Sequence, residues 1–479
     1  MRDLIDTAIL PHLQVFWKKE WNIMKKTSTI KDLTVGNPMS LILGFALSLF
    51  WGMLFQQLYN IIDTAIVSWF IGKEAYTGVG TTGAINFLIM GFCMGVCNGF
   101  AIPVAQRFGA RDYKSMRKFV SHAIILCCIF AAVMTLLVSL FCRQILLAMQ
   151  TPEDVLEYAY KYIIVIFLGI PVTYMYNLLS GIIRALGDSK HPVQFLIIAS
   201  IINIGLDLLF IIPFHMGITG AALATVVSQG ISGIMCLVFI IKKIELLHLQ
   251  KEDWELDRSH FHILMNMGVP MGLQYSITAI GSVILQIAIN SLGTDAAAAV
   301  TTAQKVGMFF CIPFDALGST MATYGGQNVG AKKIEHLQQG LVAAVKLGCG
   351  YALGAFVVLY FFGRTFAMIF LDSGDTACLD NAHLYLTINA AFYIPLALVN
   401  IVRFLIQGMG FSMFAVLAGV MEMIGRTLVA VVLVPVFGFP AICFASPIAW
   451  ILADAFLIPA YISVKNKLKR IFSGQVELY

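Results

Sequence analysis

Residues 106–142 begin with QRFGARDYKSMRK and continue with FVSHAIILCCIFAAVMTLLVSLFC. Five lysines and arginines lie in the first part, at 106–118, whereas the second part, at 119–142, contains no charged residue. About 20 helical residues cross a hydrocarbon core about 30 Å thick. The stretch therefore predicts a transmembrane helix that follows a basic loop.

Similar apolar runs recur along the whole chain, which has 479 residues, 59% of them hydrophobic and 12% charged. A soluble domain carries about 25% charged residues. Lipid requires each segment to satisfy its own backbone polar groups, and alternating ten-residue strand patterns are absent, so the spans are predicted to be helices. We predict an all-α polytopic membrane protein whose twelve spans lie near 39–71, 78–105, 119–142, 157–182, 192–213, 217–241, 261–292, 297–323, 339–363, 383–408, 412–435 and 440–464.

The distribution of basic residues predicts the orientation of these spans. Of the 31 lysines and arginines, 23 lie in the two terminal segments and the alternate connections between spans, on one side of the membrane. The positive-inside bias then places both termini in the cytoplasm and the protein in the cell (inner) membrane. The net charge of +5 is explained by basic residues that set the orientation in the membrane and face anionic lipid headgroups. No nucleic-acid partner is therefore expected.

An internal repeat divides the chain into two halves. QRFGARDYKSMRK at 106–118 matches QNVGAKKIEHLQQ at 327–339, and RALG at 184–187 matches QGMG at 407–410. A parallel repeat of six spans is typical of alternating-access carriers; the alternative is that duplication only built a stable bundle. The predicted domains are an N-terminal cytoplasmic tail (1–36, with Met24 as an alternative start), an N-lobe (37–243), a cytoplasmic linker (244–260), a C-lobe (261–464) and a C-terminal cytoplasmic tail (465–479).

The first span carries a polar stripe. Gln56, Asn60 and Asp63 are spaced so that they share one helix face within an apolar run. Carboxylates inside a membrane are unfavourable by a few kcal/mol or more, so each indicates a partner or a function. We assign Gln56 and Asn60, together with Asn177 near the cytoplasmic end of the fourth span, to a substrate cavity.

A second acid lies in the fifth span, where Asn203 and Asp207 are four residues apart. Their depth below the outer membrane surface resembles that of Thr225 in the sixth span and of Asp63, so these residues are predicted to meet. Two nearby carboxylates at low dielectric favour a shared proton. The same oxygens, with Asn203 and Thr225, could instead bind sodium. The alternative is that each acid only hydrogen-bonds a neighbouring helix.

Other polar residues give weaker signals. Glu422 and Arg426 are four apart and are interpreted as neutralising each other, whereas Lys305 and Asp315 are expected to pair with other helices. No resident metal or cofactor is expected beyond a coupling ion, H⁺ or Na⁺, because the cysteines have no ligands at suitable spacing. Without a phosphate-binding loop, transport must use an ion gradient.

Six motifs resemble those of the multidrug and toxic compound extrusion (MATE) transporters. They are DLTVGNP at 32–38, FQQLYNIIDT at 55–64, VAQRFGARD at 104–112, RALGDSK at 184–190, NIGLD at 203–207 and GITGAALAT at 217–225. The resemblance covers about 32–464. It implies two six-helix lobes arranged as a V, and antiport of protons or sodium against cationic or amphiphilic organic molecules.

The resemblance also implies which residues bind the coupling cation. The positions that match the N-lobe site of the prokaryotic branch are Asp63, Asn203, Asp207 and Thr225. A tyrosine of the fourth span belongs to that site, and Tyr162 matches it best, with Tyr158 and Tyr160 close by.

The sequence departs from the family pattern in two respects. Ser48 stands where the first helix usually has proline, so a proton-driven bend of this helix is in doubt, while Pro270 is retained in the second half. The seventh and tenth spans contain no acids, so a C-lobe sodium site is not expected.

The leading hypothesis is a monomeric, cation-coupled exporter of small molecules that contacts membrane lipids. A flippase for lipid-linked saccharides is the alternative, although it would need a cationic groove for pyrophosphate. A membrane-embedded enzyme ranks last, because no paired nucleophile and base or cofactor motif is present.

Overall fold

The twelve predicted spans are all helical. The computed structural model describes residues 30–149, 151–371 and 374–473. Within them, ten helices are long and apolar enough to cross a membrane, and two pairs of shorter helices each form one bent span. Spans 1 to 12 are, in order, Pro38–Phe70, Lys73–Gly109, Tyr113–Leu140, Glu153–Leu168 with Ile170–Ala185, Lys190–Ile211, Gly217–Lys243, Arg258–Ser291, Thr294–Gly330, Ile334–Ala367, Thr376–Ala391 with Tyr393–Gly408, Ser412–Phe437, and Ala445–Phe472.

Several helices continue past the apolar runs that predict them. Span 8 ends at Gly330 instead of 323, and span 12 ends at Phe472 instead of 464. Backbone hydrogen bonding within the helix continues into the polar residues beside the membrane, which hydropathy alone does not reveal. Most of the predicted N-terminal tail, with the alternative start Met24, and the last six residues lie outside the described ranges.

Spans 4 and 10 are bent, whereas the sequence predicts continuous helices there. The two halves of span 4 meet at 48°, and those of span 10 meet at 51°. Pro171 and Pro395 lie in the first turn after each break, where proline lacks the N–H that a continuous helix needs. Span 1, by contrast, is one unbroken helix, and the Ser48 hydroxyl donates to the Gly44 carbonyl at 3.3 Å.

Spans 1–6 and 7–12 form two pseudo-symmetric six-helix lobes that pack through spans 1, 2, 7 and 8. Spans 2 and 7 approach closely because glycines line both surfaces. A Cβ atom on Gly99 would lie 2.5 Å from the Cα of Gly268, and one on Gly95 would lie 2.5 Å from the Met271 carbonyl oxygen. Only glycine fits this approach, as in other membrane helix contacts.

The segment between the lobes contacts the N-lobe. It forms two short 3₁₀ helices, Glu245–Leu247 and Lys251–Trp254, before span 7 begins at Arg258. Arg117 Nε lies 3.0 Å from a carboxylate oxygen of Asp253. The Asp257 carboxylate caps span 7, and the hydrogen bond that it accepts from the Ser259 backbone N–H lowers the pKa of Asp257.

A pair of reciprocal hydrogen bonds joins the lobes on the side where span 1 begins and span 12 ends. Gln106 Nε2 donates to the Gly408 carbonyl at 3.0 Å, and Gln327 Nε2 donates to the Ala185 carbonyl at 2.8 Å. Gln106 and Gln327 are equivalent in the sequence repeat, as are Ala185 and Gly408. We call these four residues the inter-lobe latch.

Candidate functional site

A cavity of about 700 Å³ lies between the lobes and is lined by residues from both. Ala185 of the inter-lobe latch lines the cavity, as does Ala105 next to Gln106, so the latch lies at the end of the cavity near the start of span 1 and the end of span 12. The predicted substrate residues Gln56, Asn60 and Asn177 all line this cavity. The sequence stripe on span 1 therefore marks a cavity-facing surface.

Asp63 and Asp207, predicted from separate spans, are brought together inside the N-lobe. Their carboxyl groups lie within hydrogen-bonding contact of each other. Asp63 is 8% exposed and lines the cavity, whereas Asp207 is fully buried behind it. One oxygen of each has no donor among the described residues. Two carboxyls in such contact require a shared proton or an intervening cation, because both ionised groups would repel.

Asn203 and Thr225 adjoin this acid pair, as predicted, but through different atoms. In the amide orientation that satisfies its neighbours, Asn203 donates to Asp207 Oδ2 at 3.3 Å and accepts from the Thr225 backbone N–H at 3.2 Å. The Thr225 hydroxyl donates to the Ala221 carbonyl of its own helix at 3.2 Å. Asn203 therefore links the two spans, while the Thr225 hydroxyl would have to turn to reach a cation.

Two tyrosines complete the surroundings of the acid pair. Tyr162 and Tyr59 both line the cavity and lie close enough to interact electrostatically with Asp63 and Asp207. Of the two competing matches, Tyr158 is exposed and Tyr160 is half-buried, and neither lines the cavity. Tyr59 was not predicted from the sequence, although its position four residues before Asp63 places it on the same helix face.

The acid pair offers only oxygen donors to a cation. Among the described residues, no group of three His, Cys, Asp or Glu side chains is arranged to hold a metal ion. Carboxylate and amide oxygens suit hard cations and protons rather than soft metals. The residues present therefore fit H⁺ or Na⁺, with Asp63, Asp207 and Asn203 as the available side-chain groups.

The C-lobe wall of the cavity is also charged. Arg403 Nη2 donates to Glu422 Oε1, and Arg426 Nη2 donates to Glu422 Oε2 at 3.2 Å. We call these three residues the arginine triad. The i, i+4 pair of Glu422 and Arg426 is present as predicted, but Arg403 lies on another span and no spacing rule could reveal it. Arg184, which donates to Asn98 Oδ1 at 3.1 Å, lines the cavity too.

The expected ion pairs of Lys305 and Asp315 with other helices are not found among the described residues. Asp315 is exposed within the cavity, whereas the Lys305 ammonium lies 5.6 Å from the centre of the Phe370 ring. The Cys93 and Cys97 side chains share a buried face, where Cys97 Sγ lies 3.9 Å from Cys127 Sγ.

The family model MatE matches residues 49–209 and 270–453, one range in each half and more than half of the chain together. The chain belongs to the MATE family. The probable multidrug resistance protein YpnP of Bacillus subtilis (strain 168) is 27% identical to this MATE protein over 373 residues, which cover 78% of this chain and 82% of YpnP.

Two further proteins are similar to this chain. The FAD transporter of Shewanella oneidensis is 24% identical over 347 residues, covering 72% of this MATE protein and 76% of that transporter. A solved structure described as the outward-facing conformation of a multidrug resistance MATE family transporter matches with a TM-score of 0.86 and 21% identity. That match covers 93% of this chain and 99% of the other, and it shows a shared fold.

Proposed function

We propose that this protein exports organic compounds, cationic or amphiphilic, across the cell membrane in exchange for H⁺ or Na⁺ by alternating access. The observation that carries the proposal is the contact between the Asp63 and Asp207 carboxyl groups at the edge of the cavity. A buried acid pair next to a substrate-sized cavity couples cation binding to substrate binding. Adding or removing one charge at the acid pair changes the affinity of the cavity for substrate as well as that of the pair for the cation.

The proposed cycle has three steps. In the conformation closed by the inter-lobe latch, the acid pair takes up a cation from the outside. Binding of that cation neutralises Asp63, which lines the cavity, and so weakens its contacts with a cationic substrate. Release of the substrate then lets the lobes rock so that the cavity opens inward.

Orientation and assembly are part of the same proposal. We place both termini in the cytoplasm, which puts the inter-lobe latch on the cytoplasmic side and makes this conformation outward-facing. The proposed transport unit is a monomer in contact with membrane lipids, because one chain supplies both walls of the cavity.

The test is efflux of rhodamine 6G from proteoliposomes in which a pH gradient and a sodium gradient are imposed separately. The gradient that drives efflux identifies the coupling ion. Asp63→Asn and Asp207→Asn should each abolish gradient-driven efflux while the protein still folds. Asp380→Asn is the matched control, since Asp380 is an exposed partner of Arg364 outside the cavity. Unchanged efflux in both acid variants would contradict the mechanism.

A flippase for a lipid-linked saccharide is the second candidate function. This function needs a cationic groove for pyrophosphate, and Arg184, Arg403 and Arg426 all line the cavity. A guanidinium surface suits a pyrophosphate group. Translocation of a fluorescent lipid-linked pyrophosphate sugar without an ion gradient would favour this function over antiport.

A further inference from the structure

The arginine triad carries more positive than negative charge. Glu422 is the shared partner of Arg403 and Arg426, so one carboxylate neutralises only one of two guanidinium groups. All three residues line the cavity. The triad by itself therefore carries a net positive charge at the cavity wall.

Two N–H groups of the triad have no acceptor. Among the described residues, Arg403 Nε and Arg426 Nη1 are buried without a hydrogen-bond partner. Arg403 is 6% exposed and Arg426 is 9% exposed. A buried charged donor that lacks an acceptor is unfavourable, and both residues border the cavity, so the cavity is the source from which an acceptor can come.

Two further carboxyl groups lie near Arg403, but neither forms an ion pair with an arginine of the triad in the described ranges. Asp315, on span 8, is exposed to the cavity, where solvent screens its charge. Asp454, on span 12, is buried and does not line the cavity. Both reduce the positive potential around Arg403, but neither supplies a hydrogen-bond acceptor to Arg403 Nε or Arg426 Nη1 among the described residues.

We propose that the arginine triad is a subsite for an anionic group of the transported compound, a carboxylate or a phosphate. Guanidinium groups bind these two anions in the same planar, charge-assisted way. The substrates of this protein then include anionic and zwitterionic amphiphiles as well as cations. Trp450 and Met271, which also line the cavity, supply apolar surface for the rest of such a molecule.

The proposal deepens the proposed function and rests on it for transport, but equilibrium binding tests it without any gradient. Two matched pairs of fluorescent probes differ by one anionic group. Rhodamine 19 is the free acid of the ester rhodamine 6G, and flavin mononucleotide is the phosphate of riboflavin. Fluorescence polarisation with purified protein in lipid nanodiscs gives the affinity of each probe.

We expect the unaltered protein to bind at least one probe with the anionic group roughly tenfold more tightly than the matched probe without it. Hydrogen bonds to charged groups have about that effect on affinity. Preference within the rhodamine pair identifies a carboxylate, and preference within the flavin pair identifies a phosphate. Equal affinities within both pairs, or no saturable binding of either anion, would overturn the proposal.

Variants of the triad should shift affinity in opposite directions. Arg403→Gln and Arg426→Gln should each weaken binding of the preferred anion roughly tenfold, with little change for its partner. Glu422→Gln removes the competing carboxylate and should tighten binding of the same anion. A merely structural triad would instead lose affinity for both members of a pair in all three variants, and that result would refute the subsite.

The matched control is Arg364→Gln, which removes a guanidinium group that pairs with Asp380 outside the cavity, and it should leave all four affinities unchanged. Failure of antiport is separately recognisable. If the protein prefers the anionic probe in nanodiscs but shows no gradient-driven efflux, the anion subsite is supported and only the proposed antiport is contradicted.

Discussion

Truncating Gln327 should open the closed end of the cavity. Gln327 is fully buried, accepts a hydrogen bond from the Leu33 backbone N–H at 2.8 Å and donates one to the Ala185 carbonyl at 2.8 Å. Its bond to Ala185 joins span 8 of the C-lobe to span 4 of the N-lobe. Gln327→Ala would leave one backbone donor and one backbone acceptor without partners in this conformation.

The size of the effect follows from these two groups. Each buried polar group that loses its partner is unfavourable by about 1–3 kcal/mol, so this conformation is destabilised by about 2–6 kcal/mol. Where the lobes separate, water reaches the same groups and the penalty is removed. Even about 2 kcal/mol shifts the equilibrium between the two conformations roughly thirtyfold toward the separated state. Gln106→Ala should act in the same direction, because Gln106 is the reciprocal donor.

The assay is a pulsed electron–electron distance measurement between nitroxides at Lys114 and Glu335, which are exposed at the starts of spans 3 and 9. The labels should enter through a non-natural amino acid, since the chain has ten cysteines. We expect a longer, newly populated distance in Gln327→Ala. Gln286→Ala is the control, because Gln286 bonds only Asn290 of its own helix in the described contacts. Unchanged distances in both latch variants would refute the reasoning.

Two further predictions concern packing and the acid pair. Gly99→Ala should lower thermal stability, because the added Cβ would lie 2.5 Å from the Gly268 Cα. Such overpacking is unfavourable by about 1–3 kcal/mol. Gly354→Ala is the control and should leave thermal stability unchanged, because the space around its Cβ is open. Tyr162→Phe should raise the cation concentration for half-maximal efflux by up to about tenfold, because a hydroxyl near both carboxyl groups is lost. Tyr158→Phe is the control and should leave that concentration unchanged, because Tyr158 is exposed. A stable Gly99→Ala variant, or equal cation dependence in the two tyrosine variants, would contradict these expectations.

The candidate site was partly predictable from the sequence. Asp63 and Asp207 stand out because carboxylates are rare in apolar helices, and their similar depth indicates that they meet. Tyr59 could have been found from its i, i+4 spacing to Asp63. Arg184 falls at the end of a predicted span, and nothing in its local sequence indicates that it reaches the cavity.

Local chemistry alone determined the membrane class, the twelve spans and the two related halves, because hydropathy and repeated motifs are properties of neighbouring residues. The tertiary structure decided which distant groups touch. The contact of Asp63 with Asp207, the sharing of Glu422 by Arg403 and Arg426, and the crossed bonds of Gln106 and Gln327 each join residues on different spans. Such contacts depend on how helices rotate and pack around one another, and the periodicity of a single helix carries no information about its partner.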